Sequence, residues 1–170
     1  MTPMPGAVTR IYLRPSARTP VREVKQTTAL AGRGLEGDHA GGGARQVTIL
    51  SEEAWAAARE DLGGADIEPG ARRANIVVCG VALAESIRGG LRIGDCFIRI
   101  AGETRPCRLM DDVATGLQKA LDPDCRGGVY GRIVEGGEIA VGDQVQVLRA
   151  ADLPREPEQL QFRAAEGDAA

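Results

Sequence analysis

The chain has 170 residues and a formal net charge of −3, a length suited to one domain with its own core. No run of about 18 apolar residues is present, which excludes a membrane-spanning helix. Met1–Pro5 shows no basic segment followed by an apolar one, so no secretory signal is expected and the chain reads as cytoplasmic. The arginines are dispersed and the aromatics few (two Phe, two Tyr, one Trp), so neither nucleic acid nor membrane is an expected partner.

In chain order, residues 1–8 read as a flexible N-terminus, 9–149 as the folded domain and 150–170 as a polar, flexible tail. Val8 to Leu13 reads as a first strand, followed by a loop at 15–20 and a short strand at 21–25. The glycine-rich stretch from Gly32 to Gly43 is expected to be one long loop without regular structure. Gln46 to Leu50 is a buried strand. Ser51 then caps a helix whose first turn carries Glu52 and Glu53, with Gly63 closing it and Trp55, Ala58 and Leu62 facing the core.

Asn75 to Cys79 reads as a central strand. Leu91–Asp95 leading into Cys96–Ile100, and Ile139–Asp143 leading into Gln144–Leu148, share one pattern of a Gly-Asp turn and an alternating strand. In the first, Cys96, Ile98 and Ile100 fall on one face. Val113, Leu117 and Leu121 mark a second helix stopped by Asp122-Pro123. Val129–Val134 and Glu138–Val141 are expected to pair as a hairpin around Gly136-Gly137. Short strands, frequent glycine turns and two helices point to a mostly β fold, a closed or nearly closed barrel.

Among the four cysteines, no pair has C-x-x-C spacing, so no zinc ribbon or thioredoxin-type site is expected. Cys79 and Cys96 read as core. Cys107 follows Arg105-Pro106 directly after a strand, which places it at the barrel mouth, and Arg105 and Arg108 would favour its thiolate. A thiolate is both a nucleophile and a soft metal ligand, whereas a lone cysteine is by default a small buried hydrophobe. Cys125 lies in a loop and is the one candidate for a resolving thiol. Arg73 and Asn75 put a guanidinium and a carboxamide at a strand entrance, suited to a phosphate and a polar ring edge, or alternatively form a solvated turn. Asp38-His39 is an acid–base pair or an Asp-stabilised turn, and the turn is the better reading.

The ordered set Gly34-Leu35-Glu36-Gly37-Asp38-His39, Arg45–Ser51, Arg73-Ala74-Asn75-Ile76-Val77-Val78, Leu91–Asp95, Arg105-Pro106-Cys107, Gly127–Arg132 and Val141-Gly142-Asp143 resembles the MOSC family, named for the C-terminal domain of molybdenum cofactor sulfurase. It covers about Thr9 to Leu148 and looks most like the compact, stand-alone bacterial branch. The resemblance implies a MOSC-type β-barrel with a few peripheral short helices, and molybdenum cofactor (molybdopterin) ligated through Cys107. It also implies a cofactor pocket lined by Arg73 and Asn75, to which Arg105, His39 and Asp38 are added as candidates. The chain departs from the family where Ala40 and glycines follow Asp38-His39 and where Ala74 replaces a more usual Glu or Pro.

Three functions compete at this stage. One is a molybdenum-dependent oxidoreductase that reduces N-hydroxylated small molecules with electrons from a separate donor protein. Another is a sulfur carrier with a Cys107 persulfide, charged by a cysteine desulfurase. The third is a non-catalytic cofactor-binding module. The two lysines, Lys25 and Lys119, sit in no supporting motif, so pyridoxal phosphate is not expected.

Overall fold

A computed structural model describes residues 6–39 and 42–153. Its centre is a ring of seven strands. In ring order these are β1 (Gly6–Leu13), β11 (Gln144–Leu148), β7 (Gly90–Ile93), β8 (Cys96–Glu103), β9 (Val129–Glu135), β5 (Val47–Ser51) and β6 (Ile76–Cys79), which returns to β1. The short β2 (Arg22–Val24) adds to β1 from outside. A second, three-stranded sheet holds β10 (Gly137–Ala140), β3 (Gln26–Leu30) and β4 (Gly34–Leu35). The domain therefore starts earlier than its sequence suggests, because residues 6–8 already pair in the barrel. Residues 1–5 of the expected flexible start, 154–170 of the expected tail, and Ala40 and Gly41 lie outside the described residues.

All ring pairs are antiparallel except β5–β6. A parallel pair needs a long crossover, and here helix α1 (Glu52–Asp61) supplies it. This explains the consecutive apolar residues Ile49-Leu50 in β5 and Ile76–Val78 in β6. Ile49, Ile76 and Val78 fill the barrel, while Leu50 and Val77 face outward into a second cluster with Trp55, Ala58, Leu117 and Leu121. In β8, Cys96, Ile98 and Ile100 share one face and all lie in the barrel core. Cys79, expected in the core, is half-buried at the end of β6.

Helix α1 starts and stops where its sequence indicates. The Ser51 hydroxyl accepts from Ala54 N–H at 3.2 Å. At the other end Gly63 and Gly64, both with positive φ, donate to the Glu60 and Arg59 carbonyls, satisfying two terminal acceptors. Glu53 ties this helix to the barrel by accepting from Gly80 N–H at 2.7 Å and from the Ser51 hydroxyl at 3.0 Å. Burial pushes the Glu53 carboxyl up, but these bonds and its own N–H outweigh burial and hold it below the usual carboxylate value. A depressed folded-state pKa stabilises above the unfolded value and loses that contribution as pH falls through the folded one. Glu53→Gln is therefore expected to lower stability at pH 7 and to make little difference near pH 3, as read by urea denaturation at both pH values.

Three expectations are corrected. The strands β9 and β10 do not form a hairpin: β9 pairs with β8 and β5, and β10 pairs with β3. The chain leaves the barrel at Gly136, where a Cβ would meet the Ala29 carbonyl oxygen at 2.5 Å, so Gly136-Gly137 is a crossing point between sheets rather than a reversal. Nor is the glycine-rich segment without structure, because Gly34 and Leu35 pair with Leu30 and Ala29. Finally, the single helix expected through Val113, Leu117 and Leu121 is two short ones, α2 (Leu109–Val113) and α3 (Leu117–Leu121). They are broken where Ala114 is extended and Gly116 takes φ +88°. Leu117 and Leu121 are core, but Val113 is exposed.

Candidate functional site

The strand β8 ends at Glu103, and the chain then turns through Thr104–Arg108 into α2. This puts Cys107 on the rim of a cleft of about 490 Å³ between the barrel end and α2. Other segments complete the wall: the end of β1 (Tyr12, Arg14), Asp38, the entrance to β5 (Arg45, Thr48), the turn before β6 (Arg72, Arg73, Asn75), and Gly127. Four arginines line it against two aspartates, Asp38 and Asp112, in a chain that is net negative. The cleft is thus a local concentration of positive charge.

Arg72 is the most constrained of the four. Its Nη2 donates to the Thr104 carbonyl at 3.0 Å, its Nε to the Gly127 carbonyl at 3.2 Å, and its Nη1 meets the Met110 Sδ at 3.8 Å. It thereby bridges the two ends of the segment that carries Cys107. Among the described residues these neutral acceptors are its hydrogen-bond partners, so its charge is available to a ligand. Burial lowers the Arg72 pKa, the Cys107 thiolate acts to raise it, and the nearby Arg45 guanidinium acts to lower it. Arg45 in turn lies over the Tyr130 ring at 5.0 Å.

A second pair of arginines sits at the β1 end. Burial lowers the pKa of Arg14, the Arg73 charge lowers it further, and Asp38 works against both. Arg73 adopts φ +64° and donates from Nη2 to the Ala17 and Thr19 carbonyls, both at 3.2 Å. A non-glycine residue held in this left-handed conformation costs about 1–3 kcal/mol, which the turn before β6 sustains.

The residues singled out in the sequence are placed as follows. Cys107, Arg73, Asn75 and Asp38 all line the cleft, whereas Arg105 and His39 are not among its lining residues and are exposed. The Asn75 amide is turned to the barrel. Its Oδ1 accepts from Thr48 N–H at 3.1 Å and from the Thr48 hydroxyl at 3.2 Å, and its Nδ2 donates to the Tyr12 carbonyl at 3.3 Å. Asp38 accepts from Arg14 N–H at 2.8 Å while His39 N–H donates to the Arg14 carbonyl, and the Arg14 side chain reaches the imidazole. This is the turn reading of Asp38-His39. Arg105 and Arg108, taken in the sequence as the charges beside Cys107, are both exposed outside the lining, and Arg72 holds that place instead. Cys125 is half-buried, donates to the Gly128 carbonyl at 3.6 Å, and has its thiol pushed up to about 11 by burial. It is a protonated thiol at neutral pH, poorly suited to resolving anything.

Arg14, Arg45, Arg72 and Thr104 also line the cleft, and none of them stands out in the sequence as a site residue. Arg45 opens one of the family-like segments and Arg72 directly precedes another, but nothing in their spacing says that they converge. Thr104 is 8 % exposed, and its hydroxyl is buried without a hydrogen-bond partner on the cleft wall. A buried hydroxyl left unpaired costs about 1–3 kcal/mol, so a polar ligand group is its natural complement.

The fold and site define a class first: a closed β-barrel carrying an arginine-rich cleft beside an accessible cysteine. The chain belongs to the MOSC domain family, whose model matches residues 36–146. No curated protein sequence matches the chain. Among solved structures it is similar to the YuaD protein from Bacillus subtilis, at 18 % identity and a TM-score of 0.71, covering 86 % of this chain and 97 % of that one. It is also similar to YiiM from Geobacillus stearothermophilus, at 18 % identity and a TM-score of 0.66, covering 85 % and 75 % of the two chains. YiiM from Escherichia coli matches at 14 % identity and a TM-score of 0.62, covering 94 % and 83 %. At these identities the likeness is one of fold. No helix among the described residues is long and apolar enough to cross a membrane.

Proposed function

We propose that the cleft holds molybdenum cofactor, with Cys107 as the protein's ligand to the metal, and that the protein reduces N-hydroxylated small molecules with electrons from a separate donor protein. The observation that carries this reading is the meeting of an exposed thiol with four guanidiniums and an orphaned buried hydroxyl in one cleft. These residues fit an anionic cofactor that brings most of its metal's ligands with it. Among the described residues no three His, Cys, Asp or Glu side chains group into a metal site of their own. Soft thiolate ligation suits such a centre. When bound, the cofactor supplies two-electron redox chemistry that no side chain offers.

The chain's own residues do the rest. Arg14 and Arg73 offer fixed donors to the cofactor's anionic end. Arg72 holds the Cys107 segment at both ends, so the thiolate is presented rather than searched for. Asn75 fixes the strand entrances on which Tyr12 and Thr48 stand, and Asp38 fixes Arg14. Leu109 and Val113, both exposed on the cleft side of α2, give the mouth an apolar lip.

Molybdenum and pterin content of freshly purified protein, wild type beside Cys107→Ser, tests this directly. Near-stoichiometric metal in the wild type and at least a tenfold loss in the variant is the expected result. Equal metal in both would remove Cys107 as ligand, and no metal in either would sink the cofactor reading for this chain.

The exposure of Cys107 also supports a second reading, in which it carries a persulfide received from a cysteine desulfurase and passes it on. A sulfur carrier must be reachable by another protein, and Cys107 is. Intact-mass detection of an added sulfur on wild type, absent in Cys107→Ser, separates this reading from the first.

A further inference from the structure

The cleft has two positive poles built by different parts of the chain. Arg14 and Arg73 stand at the β1 end, tied to Asp38 and to the carbonyls of Ala17 and Thr19. Arg72 and Arg45 stand at the Cys107 end, held by the Thr104 and Gly127 carbonyls and by the Tyr130 ring. The Thr104 hydroxyl, more than nine-tenths buried and unpartnered, belongs to the second pole. One anionic group at the first pole leaves the second uncompensated. Among the described residues neither guanidinium has a carboxylate partner: Arg72 meets only neutral acceptors, Arg45 lies over a ring, and beside them is an unpaired buried hydroxyl.

We propose that the second pole is a subsite for the anionic group of the substrate, so that Arg72, Arg45 and the Thr104 hydroxyl bind a carboxylate or comparable oxyanion of the molecule that reacts in the cleft beside Cys107. This inference rests on the proposed function only in placing the reaction in the cleft beside Cys107. The substrates it selects are small anions. The apolar lip of Leu109 and Val113 covers the uncharged remainder of such a molecule. Charge-assisted hydrogen bonds from two guanidiniums give the subsite both its preference for anions and a fixed orientation.

The test compares two alkylating reagents that consume the same thiolate and differ in charge, iodoacetate and iodoacetamide. Each forms a thioether at the Cys107 sulfur with loss of iodide, so their rate ratio cancels the sulfur's own ionisation and reports the charge beside it. The full chain is made in cells unable to synthesise molybdenum cofactor, leaving Cys107 free, and alkylation at Cys107 is followed by peptide mass spectrometry. The iodoacetate-to-iodoacetamide ratio is expected to exceed that of a small free thiol on the order of tenfold, the size of a local field effect. Arg72→Gln and Arg45→Gln should each return most of that excess, and Thr104→Val part of it. Arg45 is exposed, so its variant keeps the test open even if loss of the Arg72 clasp unfolds the segment. A wild-type ratio equal to that of the free thiol overturns the proposal. So does an excess that survives Arg45→Gln and Thr104→Val but disappears in Arg105→Gln, because the charge would then lie outside the cleft. Metal content judges the cofactor reading separately, and either idea can fail while the other stands.

Discussion

Replacing Asn75 with alanine is expected to destabilise the fold by roughly 2–5 kcal/mol, a large fraction of the 5–15 kcal/mol that holds a typical domain together. The amide is 7 % exposed and joins three strand ends. It takes the Thr48 N–H and hydroxyl at the mouth of β5 and gives to the Tyr12 carbonyl on β1, while its own backbone leads into β6. Removing it leaves the Thr48 N–H and the Tyr12 carbonyl without their partner, while the Thr48 hydroxyl keeps the backbone N–H of residue 75, and each such orphan costs about 1–3 kcal/mol. The loss falls where β5 and β6 run parallel, so no hairpin turn holds their register there. Urea denaturation gives the stability, and metal content per folded molecule gives the binding. The structure leads us to expect a lowered midpoint with cofactor content per folded molecule largely kept. Unchanged stability with lost cofactor would instead assign the amide to the ligand.

Gly128→Ala is the second change with a large expected effect. Gly128 has φ +98°, and a Cβ there would lie 2.3 Å from the Ile49 carbonyl oxygen, in the backbone of a barrel strand. Backbone strain of about 1–3 kcal/mol adds to an overpacking cost of similar size, and neither partner is a flexible side chain that can step aside. Gly142→Ala separates the two contributions. Gly142 also has positive φ, at +96°, but nothing lies within 4 Å of its added Cβ. It should therefore show only the conformational cost, about 1–2 kcal/mol. Equal losses at both positions would mean that the close approach to Ile49 relaxes without cost. Because Gly127 and Gly128 adjoin the carbonyls that hold Arg72 and Thr104, Gly128→Ala should also disturb the cleft, read as a changed alkylation rate at Cys107.

Much of the barrel is legible in the chain because its signals are local. Period-two alternation puts Cys96, Ile98 and Ile100 on one face wherever the strand ends up, and Ser51, Glu53 and Gly63 mark the bounds of α1 through bonds made within a few residues. Pairing partners are another matter. The alternation of Glu138–Ala140 says which side is buried but not against which strand, and a sharp glycine pair reads equally as a hairpin turn or as a passage between sheets. The steric approach of Gly136 to Ala29, more than a hundred residues away in the chain, decided for the passage.

The candidate site divides along the same line. Cys107 was identifiable from its neighbours, since Pro106 ends the ladder and leaves the cysteine at a rim. The direction of each nearby arginine was not, because side-chain direction after a strand depends on the path of the backbone. That path sends Arg105 and Arg108 away from the cleft and brings Arg72, thirty-five positions upstream, across the segment instead. By itself the sequence determined most of the barrel strands, the helix that crosses between β5 and β6, the family and the cysteine, but not β3 or β4 of the second sheet. Only the tertiary structure decided which charges meet that cysteine and which buried hydroxyl is left unpaired, since both depend on distances between residues that no local pattern couples.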